Sequence, residues 1–585
     1  MDKSKVTKSL AVFASVLLII IIGVASFAYF GTFNVNLNNN VAVNINSSSP
    51  GNATFTSNAS QLNLQVPAAN MSYTAANNTV AAKEDTAFLD VTLTGSANLL
   101  TTCTYDIVYE YDAGSNVYGQ GTTTKTSGAT KEITIEVNGM NGNNHFATET
   151  NFDHANIQSY YDSTNKYYKL VEGAKIQSLG TEQSVRWKIT GRYYNLDVSQ
   201  AQLGGKNFTG KIYAISKGCS SEDGSSVKKG YETILANNGG AASMTTLTST
   251  DFANVTTASD KGMYKATDDL GTSYYFRGAV DNNWVKYGKY TKDVYYTYDS
   301  DYNYSLVSSC DGIDNCFKIA SKGDDIYWRI IRINGDGSIR MIYSGVTPPT
   351  ESTKVIKTTD TSLGYSQFNT DIDSAEYVGY MYTIGEQHGT NKSSDIKIYL
   401  EDWYANYTDL HKSGTKITDQ IYCNDRTAST SDVAYSTTIY TTLTSWNSTG
   451  TTYNYGAYGR IVKDNNPMLT CAVDSDRFTV NKINSKGNSA LTYPIGLITV
   501  DEIVMAGNKW SESNVSYYLY TRDYYWAGSP RVFNFGSSYG FFVGDDGRLR
   551  GGGVDYNFGV RGVVSLSSES KLLGSGTYDD VYTVN

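Results

Sequence analysis

Proline, histidine and charge are all scarce in this 585-residue chain, and each scarcity removes a class of function. Seven prolines exclude a proline-rich stalk. Four histidines leave little material for a histidine-rich metal centre, and the six cysteines never occur as CxxC, so a zinc pattern is missing. Lys plus Arg number 47 against 57 Asp plus Glu, a net charge of -10, which argues against nucleic acid as a partner. HExxH and His-Cys or His-Ser constellations are absent. SSVK at Ser225 to Lys228 and SESK at Ser568 to Lys571 have SxxK spacing but lack the SDN and KTG partners of a serine acyl-enzyme. The expectation is a protein that is not an enzyme and carries no cofactor or metal.

What the chain has in excess is tyrosine, 49 residues of it, with abundant Thr, Ser and Asn. That alphabet suits β-strands with polar outer faces, the composition of an extracellular β-rich protein. Lys3, Lys5 and Lys8 precede an uncharged run from Leu10 to Phe30, long enough as a helix for the bilayer core of about 30 Å. A transmembrane anchor there, lysines inside, predicts a single-pass cell-surface protein with its C-terminus outside. Ser26-Phe27-Ala28 also offers a signal-peptidase site, which would leave a secreted protein. No cysteine follows the run to suggest a lipid-modified start. Cys310 and Cys316 enclose the short loop CDGIDNC; Cys103 with Cys219 and Cys423 with Cys471 are the simplest remaining pairs among fifteen connectivities.

The pattern along the chain predicts a mainly β protein with some α. Residues 33–84 are Asn/Ser/Thr-rich and strand-forming, with FNVNLNNNVAVNIN alternating apolar residues and asparagine, while 46–58 read as low complexity. Residues 85–215 hold TAFLDVTLTG, CTYDIVYEY, KEITIEVNG, SVRWKITGRYYNL and FTGKIYAI between turn residues. Strands of that length and spacing predict an immunoglobulin-like β-sandwich acting as a spacer, although its Cys-Trp-Cys hallmark is lacking. A linker, 216–268, contains a short helix around Tyr231 to Ala236. Beyond Asp269, YWRIIRINGDGSIRMIYSG predicts a hairpin turning on Asn334-Gly335-Asp336-Gly337. Ile396, Leu400, Trp403 and Tyr407 predict a helix capped by Ser394, and Thr499 with Glu502 has capping-box spacing before a stop at Gly507.

That hairpin, the helix start YPIGLITVDEI, YLYTRDYYWAGSP and the closing GVRGVVSL resemble bacterial surface domains of the C-type-lectin-like fold. The fold is shared by formylglycine-generating enzymes and by variable proteins of diversity-generating retroelements. The resemblance covers 269–585 and implies an α+β scaffold displaying irregular loops for ligand binding. Two departures matter. Gly562 stands where the family has proline after GVR, and no cysteine follows Cys471, so formylglycine-generating chemistry is not implied. The EPN, QPD and WND motifs of calcium-dependent sugar binding are absent; Trp446-Asn447-Ser448 is the nearest.

Residues 524–562, YYWAGSPRVFNFGSSYGFFVGDDGRLRGGGVDYNFGVRG, mix aromatics, glycine, serine, aspartate and arginine, the vocabulary of antibody paratopes. In retroelement variable proteins this part of the domain is diversified. The expected ligand-binding face comprises Trp526, Arg531, Asn534, Ser537, Ser538, Tyr539, Asp545, Asp546, Arg548, Arg550, Asp555, Tyr556 and Asn557, with Phe533, Phe535, Phe541 and Phe542 read as core. The partner implied is an extracellular protein or glycan. The chain thus reads as a membrane-anchored surface receptor or adhesin, or alternatively as a non-catalytic structural protein of the cell envelope.

Overall fold

Alternation of apolar and polar residues builds the first half of the protein. The computed structural model describes residues 41–45, 53–65, 81–95, 98–112, 132–139, 142–152, 154–194, 200, 207–224, 227–300, 302–431, 446 and 452–585. It is mainly β. The run expected to cross a membrane, 10–30, lies outside these residues; among the described ones no helix is long and apolar enough to do so.

Nine strands, with the two-residue strands Asn143–Asn144, Thr150–Asn151 and Tyr161–Asp162 beside them, form two facing sheets: β1 (Val41–Ile45), β2 (Ala53–Ser57), β3 (Ser60–Gln65), β4 (Lys83–Thr94), β5 (Leu99–Tyr111), β6 (Ile133–Asn138), β7 (Tyr167–Ser178), β8 (Glu182–Tyr193) and β9 (Asn207–Asp223). One sheet runs β1-β2-β4-β8-β6, the other β3-β9-β5-β7. In β4, Ala87, Leu89, Val91 and Leu93 are buried while Phe88, Asp90 and Thr92 between them are not. That is the period of two expected of a strand with one wet face. Trp187 is fully buried between the sheets and donates its indole N–H to the Tyr105 hydroxyl at 3.0 Å. Two expectations are corrected here. Residues 53–57 are not a low-complexity segment but a strand, because Ala53 and Phe55 enter this core. Nor is 216–268 a linker: β9 continues to Asp223 against Leu99–Thr104, and Ile234, Met244 and Phe252 pack into the second core.

The second core belongs to α1 (Gly230–Asn237), β10 (Lys261–Asp268), β11 (Gly271–Gly278), β12 (Trp284–Lys289), β13 (Val294–Tyr298), β14 (Tyr304–Val307), β15 (Cys316–Ala320), β16 (Asp325–Ile333), β17 (Ile339–Tyr343), α2 (Asp395–Tyr407), α3 (Gly456–Val462), α4 (Val500–Met505), β18 (Tyr525–Asn534), β19 (Ser537–Val543), β20 (Leu549–Gly553), β21 (Val563–Leu566) and β22 (Tyr582–Val584). The central sheet runs β21-β17-β16-β12-β22, with β11 attached to β16 and β10 to β11. The β16–β17 hairpin turns where Asn334 to Gly337 predict it, with Gly337 at φ 85°. α2 buries Ile396, Tyr399, Leu400, Trp403, Tyr404 and Tyr407. Its N-cap Ser394 sends its hydroxyl to the Tyr380 carbonyl rather than to a helix N–H. At α4, by contrast, the capping box closes: Thr499 accepts from the Glu502 N–H and Glu502 accepts from the Thr499 N–H. Glu502 is held as an anion in the core by Arg332 at 2.9 Å and Arg340 at 2.7 Å.

Sandwich and second core touch through polar contacts. Arg186 pairs with Asp90 on its own strand's neighbour and reaches the Lys322 carbonyl at 2.7 Å. Lys286 donates to the Ser184 carbonyl, and Gln183 to the Val584 carbonyl.

Candidate functional site

The stretch 524–562 folds as a three-stranded sheet, β18-β19-β20, extended on its β18 side by Phe558–Gly559 and Tyr365–Ser366. All ten residues of β18 are buried. Aromatic side chains cover the sheet on both faces, so the alternation that makes one strand face wet is lost. On one face Trp526 and its cross-strand partner Phe542 meet Phe558, at ring-centroid distances of 4.7 Å and 4.3 Å. On the other, Phe541 packs edge-on to Trp510.

Four residues expected on the binding face are therefore core. Trp526 is 0 % exposed, its indole N–H donating to the Ser366 carbonyl at 2.9 Å. Arg531 is buried between the rings of Tyr458 and Trp510, with its guanidinium carbon 4.7 and 5.0 Å from their centroids, a cation–π pair that replaces water around the charge. Asn534 accepts from the Thr452 hydroxyl, and Ser538 donates to the Ser374 carbonyl. Phe533, Phe541 and Phe542 are buried, but Phe535 is 72 % exposed at the β18–β19 turn with φ 49°. Gly551 to Gly553 lie within β20 rather than in a loop. A Cβ at Gly551 would meet Arg531 at 2.3 Å, and one at Gly552 would crowd Phe558 and Phe542. Close approach, not turning, requires these glycines. Gly562 likewise lies under Ile495 and Leu400, and its carbonyl accepts from the Tyr343 N–H.

What remains outward forms a coherent face around the Gly544 to Gly547 turn. Asp545 and Arg548 are exposed, Asp546 and Arg550 partly so. Arg550 pairs with Asp546 at 2.6 Å, and Arg548 stands 3.7 Å from the same carboxylate. Tyr520 donates to the Asp545 carbonyl, and the Asp545 carboxylate beside it pushes the Tyr524 phenol above its ordinary value. The Tyr524 ring stacks on Phe558 at 5.5 Å. The Tyr556 ring, 55 % exposed, meets Phe558 edge-on at 6.0 Å. Asp555 and Asn557 flank Tyr556 half-buried, while Ser537 and Tyr539 are half-buried on β19. Asn557 donates to the Tyr302 carbonyl at 3.1 Å, tying the face to the small sheet β14-β13-β15. The aromatic residues of that sheet were not read as functional. Their signal was present: Tyr296, Tyr298, Tyr302 and Tyr304 recur at even spacing.

All six cysteines are paired, as Cys103–Cys219, Cys310–Cys316 and Cys423–Cys471. Cys103 and Cys219 are cross-strand partners within one sheet, not a bridge between sheets. Among the described residues no group of three or more His, Cys, Asp or Glu could hold a metal ion. The chain matches no family model, no curated protein and no solved structure.

Proposed function

We propose that this chain is an exported, membrane-anchored surface receptor or adhesin whose C-terminal half binds an extracellular protein or glycan. In this reading the β-sandwich is an immunoglobulin-like spacer and the second core a C-type-lectin-like display scaffold. Three disulfides fit an oxidising compartment. The observation that carries the reading is the outward face of Tyr524, Asp545, Asp546, Arg548, Arg550 and Tyr556, mounted on a buried aromatic floor. Rigid rings and ion-paired arginines on such a floor offer contact area with little side-chain freedom left to lose on binding.

The test is binding of the full chain to an array of surface proteins and glycans, repeated with Arg548→Ala and Tyr556→Ala. Each is expected to weaken binding by about 1–3 kcal/mol while leaving the fold intact. Binding unaffected by both would remove the site, and self-association in place of ligand capture would favour the structural envelope role. Diversification by a retroelement would vary the codons of these outward residues and spare Trp526 and Arg531. A neighbouring reverse transcriptase gene and template repeat would mark it.

A further inference from the structure

The small sheet β14-β13-β15 carries an unusual load of exposed aromatic surface. Cross-strand register sets Tyr296 opposite Phe317 and Tyr298 opposite Tyr304. Their rings form one row: Phe317 stacks on Tyr296 at 5.0 Å, Tyr302 on Tyr298 at 5.6 Å with planes 13° apart, and Tyr304 leans on Tyr298 at 5.2 Å. Tyr302 is 61 % and Phe317 44 % exposed. The row is held firmly. Cys310–Cys316 closes the loop leading into β15, and Tyr302 occupies a left-handed backbone conformation, φ 61°, with its carbonyl bound by Asn557. Its N–H donates to the Asp299 carbonyl and closes the β13–β14 turn, so the left-handed φ belongs to the hairpin and fixes where the ring projects.

Tyr304 belongs both to this row and to the wall of an adjoining cleft of about 320 Å³ between β14 and α2. That volume is at the small end of ligand pockets, about 300–1,000 Å³. Asn303, Thr370 and Asn557 line it but spend their side-chain donors on Asp299, Asp395 and the Tyr302 carbonyl, so the Gln367 amide and the Asp395 and Asp402 carboxylates of α2 are the groups offered to a ligand. No lysine or arginine lines it. Phosphate, sulfate and sialic acid would meet two carboxylates with no cation to offset them. A neutral pyranose fits: its apolar C–H face can lie against tyrosine rings while its hydroxyls meet the carboxamide and carboxylates.

We propose that this cleft, with the tyrosine row beside it, binds a neutral oligosaccharide. The site does not depend on the Arg548–Arg550 face, and the experiment separates the two. The full chain is titrated by calorimetry with soluble trisaccharides of glucose, galactose, mannose and N-acetylglucosamine, and with sulfated and sialylated counterparts. Cleft variants are Gln367→Ala and Asp402→Asn. The row variant is Tyr302→Asn, asparagine being tolerated at that φ. Lys188→Ala, exposed on the sandwich, is the control, Arg548→Ala reports on the other face, and melting curves confirm that all five fold. At least one neutral trisaccharide is expected to bind, its charged counterpart more weakly, with each cleft or row variant at least tenfold weaker and Lys188→Ala unchanged. Failure of every neutral trisaccharide, equal binding of charged ones, or binding that survives all three variants overturns the proposal. Loss with Arg548→Ala but not with the cleft variants also overturns it, and would move the sugar to the other face.

Discussion

Truncating Trp526 to alanine tests whether the 524–562 stretch is floor or face. The indole is 0 % exposed and lies against Phe558 at 4.7 Å and Phe368 at 5.8 Å. A Cβ at Gly540 would stand only 3.3 Å from it, so the strand beneath is already in close contact and has little room to collapse into a void. Removing a buried tryptophan side chain costs about 3–5 kcal/mol. Loss of the N–H leaves the buried Ser366 carbonyl without its donor, a further cost of about 1 kcal/mol. The sum, about 4–6 kcal/mol, corresponds to a lowering of the melting temperature on the order of 10 °C for a unit of this size. Arg548→Ala, in the same stretch but exposed, should stay within about 0.5 kcal/mol. Urea unfolding followed by circular dichroism measures both without relying on the fluorescence of the deleted ring. A Trp526→Ala variant destabilised by less than about 1 kcal/mol would refute the argument, because no well-packed core releases an indole so cheaply.

Three further outcomes are expected. Burial of Glu502 opposes its charge, but Arg340 and Arg332 outweigh burial and hold its folded pKa below the ordinary 4.5. Its stabilisation is therefore complete above that unfolded value and lost as pH falls through the lowered one, so melting temperature should drop below about pH 4.5. Glu502→Gln should flatten this acid limb and cost about 3–5 kcal/mol at neutral pH; an unchanged acid limb would contradict the ion network. Replacing Cys103 and Cys219 by serine opens a loop of 116 residues and should cost about 5 kcal/mol, against about 2 kcal/mol for the six-residue Cys310–Cys316 loop. Non-reducing mass spectrometry and melts check both, and equal losses would go against the loop-entropy account. Finally, Arg186→Ala removes the link to Lys322 and should separate the unfolding of the sandwich from that of the second core in calorimetry; an unaltered trace would show that the remaining contacts of Gln183, Lys286, Lys571 and Asn585 suffice.

The local signals in the sequence determined much of the architecture. Ala87, Leu89, Val91 and Leu93 fall at every second position and become the buried side of a one-sided strand, because a sheet of the sandwich has one core face. Asn334 to Gly337 and the Thr499–Glu502 pair decide their structures within four residues, so nothing distant is needed to read them. Phe533, Phe541 and Phe542 were legible as core, but the inward placement of Trp526 and Arg531 was decided only by the tertiary structure. β18 is covered on both sides, and a strand buried on both faces has no polar alternation to reveal its orientation, so Trp526 and Arg531 look like paratope residues in sequence. Gly551 and Gly552 mimic a loop for the same reason: the side chains that need their missing Cβ atoms, Arg531, Phe542 and Phe558, come from other strands. Ala53 and Phe55 gain a strand only when a sheet edge beside β4 pairs them. Tyr296, Tyr298, Tyr302 and Tyr304 recur at even spacing in sequence, but that period cannot distinguish a wet face from a dry one, and of the four only Tyr302 is exposed. Burial depends on what packs above a strand, and that is set by residues far away in the chain.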